Sequence, residues 1–202
     1  MTLIDEPDPP GATPLTPEDV EGLLPTWVAT HEDLNLAEQA NIEAAVRWAF
    51  VGRKPVRGIE GLLTPHFSDR LHRRMFDDVW AWAGRRRHRL TNIGVDPSEI
   101  TTQMKLALDD AIFWHIHHAF DSNELAVRIH HRLVCVHPYP NGNGRQTRLL
   151  ADLYLHVTDQ PRLTWGGGAP LGSPGVDRSL YIRALMAAND GDIKPLLLFA
   201  TT

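Results

Sequence analysis

The stretch His137-Pro-Tyr-Pro-Asn-Gly-Asn-Gly-Arg-Gln-Thr-Arg148 decides how this chain is read. Before it lies the apolar run Glu124 to Val136, a helix that Pro138 must end. After it, Asn143 onward reads as a second helix. Gly142 and Gly144 carry no Cβ, so the connecting backbone can turn sharply and approach a ligand closely. The first turn of the second helix offers unpaired N–H groups and a positive dipole end, which suit an anion. Arg145 and Arg148 are three apart, share one helix face, and can each present a planar fork of donors to phosphate oxygens. His137, just upstream, can take a proton from an attacking hydroxyl. This chemistry is that of phosphate transfer.

Working outward, the pattern is helical almost everywhere. Thr16 reads as an N-cap with Pro17 at the first helical position, and Leu36 to Val51 repeats apolar residues at helical spacing behind Asn35 as cap. Thr64-Pro65 opens a helix expected to run to about Ala83, where Gly84 stops it. Arg86 to Val95 is short, polar and glycine-bounded, which predicts a hairpin or extended loop. Asp96-Pro97 opens a helix to about Phe120, and two final helices are expected over about 177–188 and 192–200. Trp165 to Gly175 is a loop by composition, its three glycines at 166–168 included. The fold class is therefore all-α with one small β-hairpin. Residues 1–15, rich in proline and acid, are expected as a disordered arm, and 16–60 as a helical extension ahead of the main domain, 61–202.

With 202 residues, 43% of them hydrophobic, one sizeable core is the default. A net charge of −5 argues against direct nucleic-acid binding. The basic runs Arg70 to Arg74 and Arg85 to Arg89 read as solvated helix ends. Cys135 is the only cysteine, so no intramolecular disulfide can form, and its apolar neighbours predict an inert thiol. No stretch approaches the roughly 18 apolar residues of a membrane span, and the opening residues lack a signal-peptide pattern, so no membrane association and a cytoplasmic location are expected. His115, His117, His118, His130 and His131 lack the partners of a zinc site and read as ordinary core or surface residues.

The stretch resembles the Fic (Fido) signature H-x-F-x-[DE]-G-N-G-R-x-x-R. The chain keeps its histidine, both glycines, the asparagine and both arginines, with Tyr139 in the aromatic place. Phe76 to Arg85, with Trp82-Ala83-Gly84, is similar to a further family segment, and the N-terminal part looks like the subgroup called mobile mystery protein B. The resemblance implies a protein adenylyltransferase, moving AMP from ATP to a Ser, Thr or Tyr hydroxyl of a target protein. It implies His137 as general base, with Arg145 also catalytic. It implies a nucleotide site of Asn141, Gly142, Asn143, Gly144, Arg145 and Arg148, with the Asn143 side chain on the phosphates. The metal position, for Mg²⁺ or Mn²⁺, would be Asn141. Thr91, Asn92 and Ile93 would form a flap over the site, pairing with an extended target segment. The subgroup implies a bacterial toxin-like role and a trans-acting antitoxin or helix-turn-helix partner.

Two departures matter. Asn141 stands where the family has an acidic residue, and a neutral amide oxygen is a weaker ligand for a hard cation than a carboxylate. A non-catalytic nucleotide-binding module, or a transferase with another donor, therefore stays open. The inhibitory [ST]-x-x-x-E-[GA]-N motif found in many family members is absent. Its nearest echo is Glu38-Gln-Ala-Asn41, which reads as a solvated carboxylate on a helix.

Overall fold

The computed structural model describes residues 13–51, 58–167 and 176–202. Helices α1 (Pro17–Glu21), α2 (His31–Phe50), α3 (Gly58–Leu62), α4 (Pro65–Phe76), α5 (Ile100–Ile116), α6 (Ser122–Val136), α7 (Asn143–Val157), α8 (Val176–Asn189) and α9 (Lys194–Thr201) account for most of them. The central pair is α6 and α7, joined by the signature stretch. Helix α5 packs on α6, α4 packs on α2 and α7, and α8 and α9 pack on each other. Leu125, Val127, Ile129 and Leu133 of α6, with Leu149, Leu150, Leu153 and Leu155 of α7, are buried at the centre of one continuous core. A buried helix pair on this scale fixes the loop between its members, which is where the chemistry sits.

Several local expectations are corrected by tertiary contacts. Helix α2 begins earlier than its apolar period suggests, because Thr30 caps it reciprocally with Asp33 and Asn35 lies inside it. Helix α4 stops at Phe76 instead of continuing to Ala83. Its continuation is diverted by Asn41 of α2, which accepts from the Asp78 N–H at 3.0 Å and donates to the Asp78 carboxylate at 3.2 Å. Trp80 then forms an isolated antiparallel bridge with Leu23, and Trp80 and Trp82 stack at 4.8 Å. Helix α5 also stops short, at Ile116.

No hairpin forms over Arg86 to Val95 among the described residues. The Arg87 guanidinium takes the Arg89 carbonyl at 2.8 Å and the Val95 carbonyl at 2.5 Å, acceptors that a strand ladder would have needed. Of the N-terminal arm, residues 1–12 lie outside the described residues. Thr13 and Leu15, expected to be loose, are buried, Leu15 within the core. Gly168 to Gly175 of the glycine-rich loop also lie outside the described residues. No described helix is long and apolar enough to cross a membrane.

Candidate active site

Helix α6 ends where Pro138 disfavours an α conformation for the residue before it. His137 leaves the helix through the left-handed conformation (φ 53°) instead of the extended one that a following proline favours, and its N–H caps the Leu133 carbonyl at 3.1 Å. Its ring is buried, 5% exposed. Nδ1 lies 3.3 Å from the Val134 carbonyl oxygen, and a carbonyl only accepts, so Nδ1 carries the proton and Nε2 presents a lone pair. Burial pushes the imidazole down to about 4, opposed by the Val134 contact and aided by the Arg87 charge. The ring is a neutral base. Its Nε2 already receives a hydroxyl, that of Thr13, at 2.8 Å.

The loop that follows is held from inside. The Asn143 side chain accepts from the Tyr139 N–H at 2.9 Å and donates to the Tyr139 carbonyl at 2.8 Å. Both its polar ends are thereby used, so Asn143 faces the loop and offers a ligand only its backbone N–H, unlike the side-chain contact the resemblance implies. Gly142 caps α7 in the left-handed conformation (φ 79°) with no side-chain bond to the helix start. A Cβ there would stand 2.6 Å from the Phe76 ring. The α7 N-terminus therefore opens onto the cleft with its amides free of side-chain caps. Tyr139 is fully buried, stacks on His72 at 3.9 Å, and its hydroxyl finds Asp69 at 2.9 Å and Ser68 at 3.1 Å.

His72 and Arg87 brace this loop, and neither was singled out from sequence. The Gly84 N–H donates to His72 Nδ1 at 3.0 Å, so Nε2 carries the proton and donates to the Asn141 carbonyl at 3.0 Å. Burial holds this imidazole down at about 3. Arg87, 3% exposed, lies in a run read as a solvated helix end. Its Nε donates to the His137 carbonyl at 2.7 Å, while its other nitrogens hold Arg89 and Val95. One guanidinium thus ties the base to both ends of the Thr91-Asn92-Ile93 segment. Gly94 (φ 108°) passes so close that a Cβ would lie 2.6 Å from the His137 Cβ. Ile93 lines the cleft, and Thr91 closes the turn by donating to the Ile93 carbonyl at 2.6 Å.

Glu38 overturns its reading as a solvated carboxylate. It is 3% exposed, accepts from the Trp80 indole N–H at 2.8 Å, and pairs with Arg145 at 2.5 Å. The signal was the echo Glu38-Gln-Ala-Asn41, since Asn41 is the residue that diverts the chain after α4 and brings Trp80 within reach.

These groups surround a cavity of about 180 Å³, lined by Thr13, Glu38, Ile93, His137, Asn141 to Arg145, Arg148, Arg178 and Tyr181 among others. Arg148 is half-buried with its guanidinium 5.2 Å from the Tyr181 ring, and Arg178 adds a third guanidinium that sequence reasoning missed. Three arginines, a helix N-terminus and one carboxylate make an electropositive slot for a polyphosphate. The volume falls below the roughly 300–1,000 Å³ of small-molecule sites, and Glu38 and Thr13 both stand in its wall. The residues fit a resident metal ion poorly. Asn141 Oδ1 accepts from the Gly142 N–H at 2.6 Å and lies 3.5 Å from Arg145, and no group of three His, Cys, Asp or Glu with metal-binding geometry occurs among the described residues.

A helical domain thus sets a neutral histidine beside a glycine-bounded loop, a helix N-terminus and a pair of arginines. Residues 62–155 match the family described as Fic/DOC. Among curated proteins, the protein adenylyltransferase Fic of Drosophila grimshawi is 36% identical over 99 residues, covering 46% of this chain and 19% of that protein. Its counterpart in Drosophila melanogaster is 38% identical over 74 residues, covering 37% and 13%. The chain thus spans under a fifth of these relatives. Among solved structures, Fic-1 from C. elegans aligns over 89% of this chain and 50% of that one, with a TM-score of 0.58 and 25% identity. BepC from Bartonella tribocorum, with bound AMPPNP, covers 84% of this chain and 85% of that one, with a TM-score of 0.61. At 14% identity, BepC shares the fold alone.

Proposed function

We propose that this protein is a Fic-type adenylyltransferase that moves AMP from ATP onto a Ser, Thr or Tyr hydroxyl of a target protein. The observation that carries the reading is His137. Its Nδ1 proton is fixed by Val134, its Nε2 lone pair points into the cleft, and a hydroxyl already occupies the position of an acceptor. In the reaction, His137 Nε2 removes the proton from the target hydroxyl, whose oxygen attacks the α-phosphorus. The backbone N–H groups of Asn143 and Gly144 would face the phosphates, joined by that of Gly142 once it leaves Asn141, while Arg145 and Arg148 take up charge as pyrophosphate leaves. A divalent ion, Mg²⁺ or Mn²⁺, would enter on the triphosphate, which supplies most of its ligands, and Asn141 would reach it only by giving up its contact with the Gly142 N–H. The relatives named as adenylyltransferases support ATP as donor and a protein as acceptor.

In the arrangement seen, Arg145 is engaged by Glu38, so the nucleotide must displace that carboxylate before the arginine can serve. Thr91 to Ile93, tied to His137 through Arg87, is the segment placed to guide an extended target chain past the base. The mobile mystery protein B resemblance adds a trans-acting antitoxin or helix-turn-helix protein as regulator. Purified protein incubated with α-³²P-ATP and Mg²⁺ or Mn²⁺ beside a bacterial lysate should label protein, and His137→Ala should abolish the label. Labelling that survives His137→Ala would overturn the mechanism.

A further inference from the structure

The Arg148 guanidinium is fixed by a series of buried side chains that passes through three helices. It lies 5.2 Å from the Tyr181 ring centre and hydrogen-bonds the Tyr181 hydroxyl oxygen. That hydroxyl is 3.1 Å from His130 Nε2, and His130 Nδ1 is 2.9 Å from Thr147 Oγ1. Thr147 Oγ1 in turn is 2.9 Å from the Asn143 carbonyl oxygen. His130 and Thr147 are fully buried and Tyr181 nearly so, which keeps water from competing for these bonds. Helix α8 supplies Tyr181, α6 supplies His130, and α7 supplies both ends.

The direction of every bond is determined. A carbonyl only accepts, so the Thr147 proton goes to Asn143, and Thr147 Oγ1 accepts from His130 Nδ1. Burial, and behind it the Arg148 charge, keeps this imidazole neutral, which leaves Nε2 bare to accept the Tyr181 proton. The phenol oxygen then accepts from Arg148, which can only donate. Reversing any one of these bonds would leave a buried donor without an acceptor. Trp165 meets the His130 ring edge-on at 4.9 Å, and Phe199 packs on Tyr181 at 5.6 Å, so both rings are held in place.

The series ends at the cleft. A Cβ on Gly144 would stand 3.4 Å from the Tyr181 hydroxyl and 3.6 Å from Arg148 Nη1, so these two groups meet beside the first turn of α7. Arg148 and Tyr181 line the cavity, whereas His130 and Thr147 are sealed behind it. The two signature arginines are therefore held differently. Arg145 is engaged by a carboxylate, Glu38, that a nucleotide must displace. Arg148 is held by a neutral oxygen, which orients the guanidinium without neutralising it. Orienting a flexible cation beforehand removes an ordering cost from ligand binding.

From this arrangement we infer that Tyr181 and His130 are positioning residues that aim the Arg148 guanidinium at the terminal phosphates of the nucleotide. The inference rests on the phosphate-handling part of the adenylyltransferase reading above. Tyr181 acts on the arginine directly, and His130 acts only through Tyr181.

The test measures ATP and AMP binding to the full chain by isothermal titration, in the wild type and on the Glu38→Gln background that releases Arg145. Tyr181→Phe keeps the ring beside Arg148 and deletes the hydroxyl. It is expected to weaken ATP binding by about tenfold and to leave AMP binding unchanged, because AMP lacks the phosphates that Arg148 would reach. In an Arg148→Ala chain, Tyr181→Phe should have no further effect on ATP affinity. Thr147→Val, which cuts the series at its far end without touching the cleft, should share the loss, and Thr147→Ser should bind as the wild type does. Unchanged ATP affinity in folded Tyr181→Phe and Thr147→Val would overturn the inference. Equal losses for ATP and AMP would do the same, as would a loss that adds fully to that of Arg148→Ala. The expected discrimination without any His137-dependent labelling of lysate protein would overturn the adenylyltransferase reading and leave the positioning role standing. No ATP binding, even with Glu38→Gln, would overturn both.

Discussion

The Glu38 carboxylate meets the Arg145 guanidinium at 2.5 Å, joining the second helix of the chain to the first turn of α7. Glu38 is buried and also holds the Trp80 indole, so its position is set by the fold of the N-terminal extension. A guanidinium paired in this way offers a triphosphate fewer donors. Hydrogen bonds to charged groups are worth about 1.5–3 kcal/mol, so releasing Arg145 should strengthen nucleotide binding by roughly 10- to 100-fold. Glu38→Gln keeps an acceptor for Trp80 and removes the charge, and isothermal titration with ATP or a non-hydrolysable analogue should show that gain. An unchanged affinity would mean that Arg145 takes no part in binding. Glu38→Ala should show the same gain with a penalty of about 1–3 kcal/mol in stability, because the buried indole N–H loses its partner.

Gly142 is the residue on which the loop's shape depends. Its left-handed backbone (φ 79°) strains any side chain, and a Cβ would meet the Phe76 ring at 2.6 Å. Phe76 is itself fully buried and cannot yield. Gly142→Ala is therefore expected to cost about 1–3 kcal/mol, a fall of roughly 3–10 °C in Tm for a chain of this size. Nucleotide binding should weaken with it. A variant of unchanged Tm and affinity would show that the loop tolerates another path.

Arg87 supplies a prediction about the segment over the base. Its nitrogens reach the carbonyls of His137, Arg89 and Val95, which a lysine ammonium on a single stem cannot span together. Arg87→Lys should leave the helices folded and raise amide exchange across residues 89–95. Target labelling should fall by about tenfold while ATP affinity is preserved, since the nucleotide loop is held separately by Asn143 and His72. A parallel loss of ATP affinity would contradict that separation.

The helical class and the base-loop-arginine order were legible because they depend on short sequence distances. Periodicity identified the helices flanking the loop, and the signature placed Gly142 and Arg145 within one turn of each other. What was not legible depends on chain segments meeting at long range. Arg87 sits in a basic run that looks solvated, yet it is buried against the carbonyls of His137 and Val95 where Gly94 passes over His137. Helix propensity continues through Ala83, yet the contact of Asn41 with Asp78, separated by 37 residues, ends α4 at Phe76. The Thr13 contact spans 124 residues and involves an arm whose composition suggests disorder. Glu38 lies between these cases: the echo in sequence was visible, but its burial follows from Trp80, which no local pattern places.

The pH dependence follows from two buried imidazoles. In the folded chain His137 titrates at about 4 and His72 at about 3, against 6.5 for an unhindered histidine. Burial dominates both shifts and disfavours the charged ring. Between the folded values and 6.5 the unfolded chain binds more protons than the native one, so native stability rises with pH in that window. The contribution is fully present above 6.5 and is lost as pH falls through 6.5 toward 4 and then 3. For His137 the gap from 6.5 to about 4 corresponds to roughly 3 kcal/mol. Urea unfolding at pH 7 and pH 5 should therefore differ, and His72→Gln, which can keep a donor to Asn141, should flatten the slope. Activity has its own signature, because a base that stays neutral down to about 4 gives no acid limb near 6.5. The rate of AMP transfer at saturating ATP should be level from about pH 5.5 to 8 as far as His137 governs it. An acid limb centred on 6.5 in the wild type would show that the ring is not held neutral by burial during turnover.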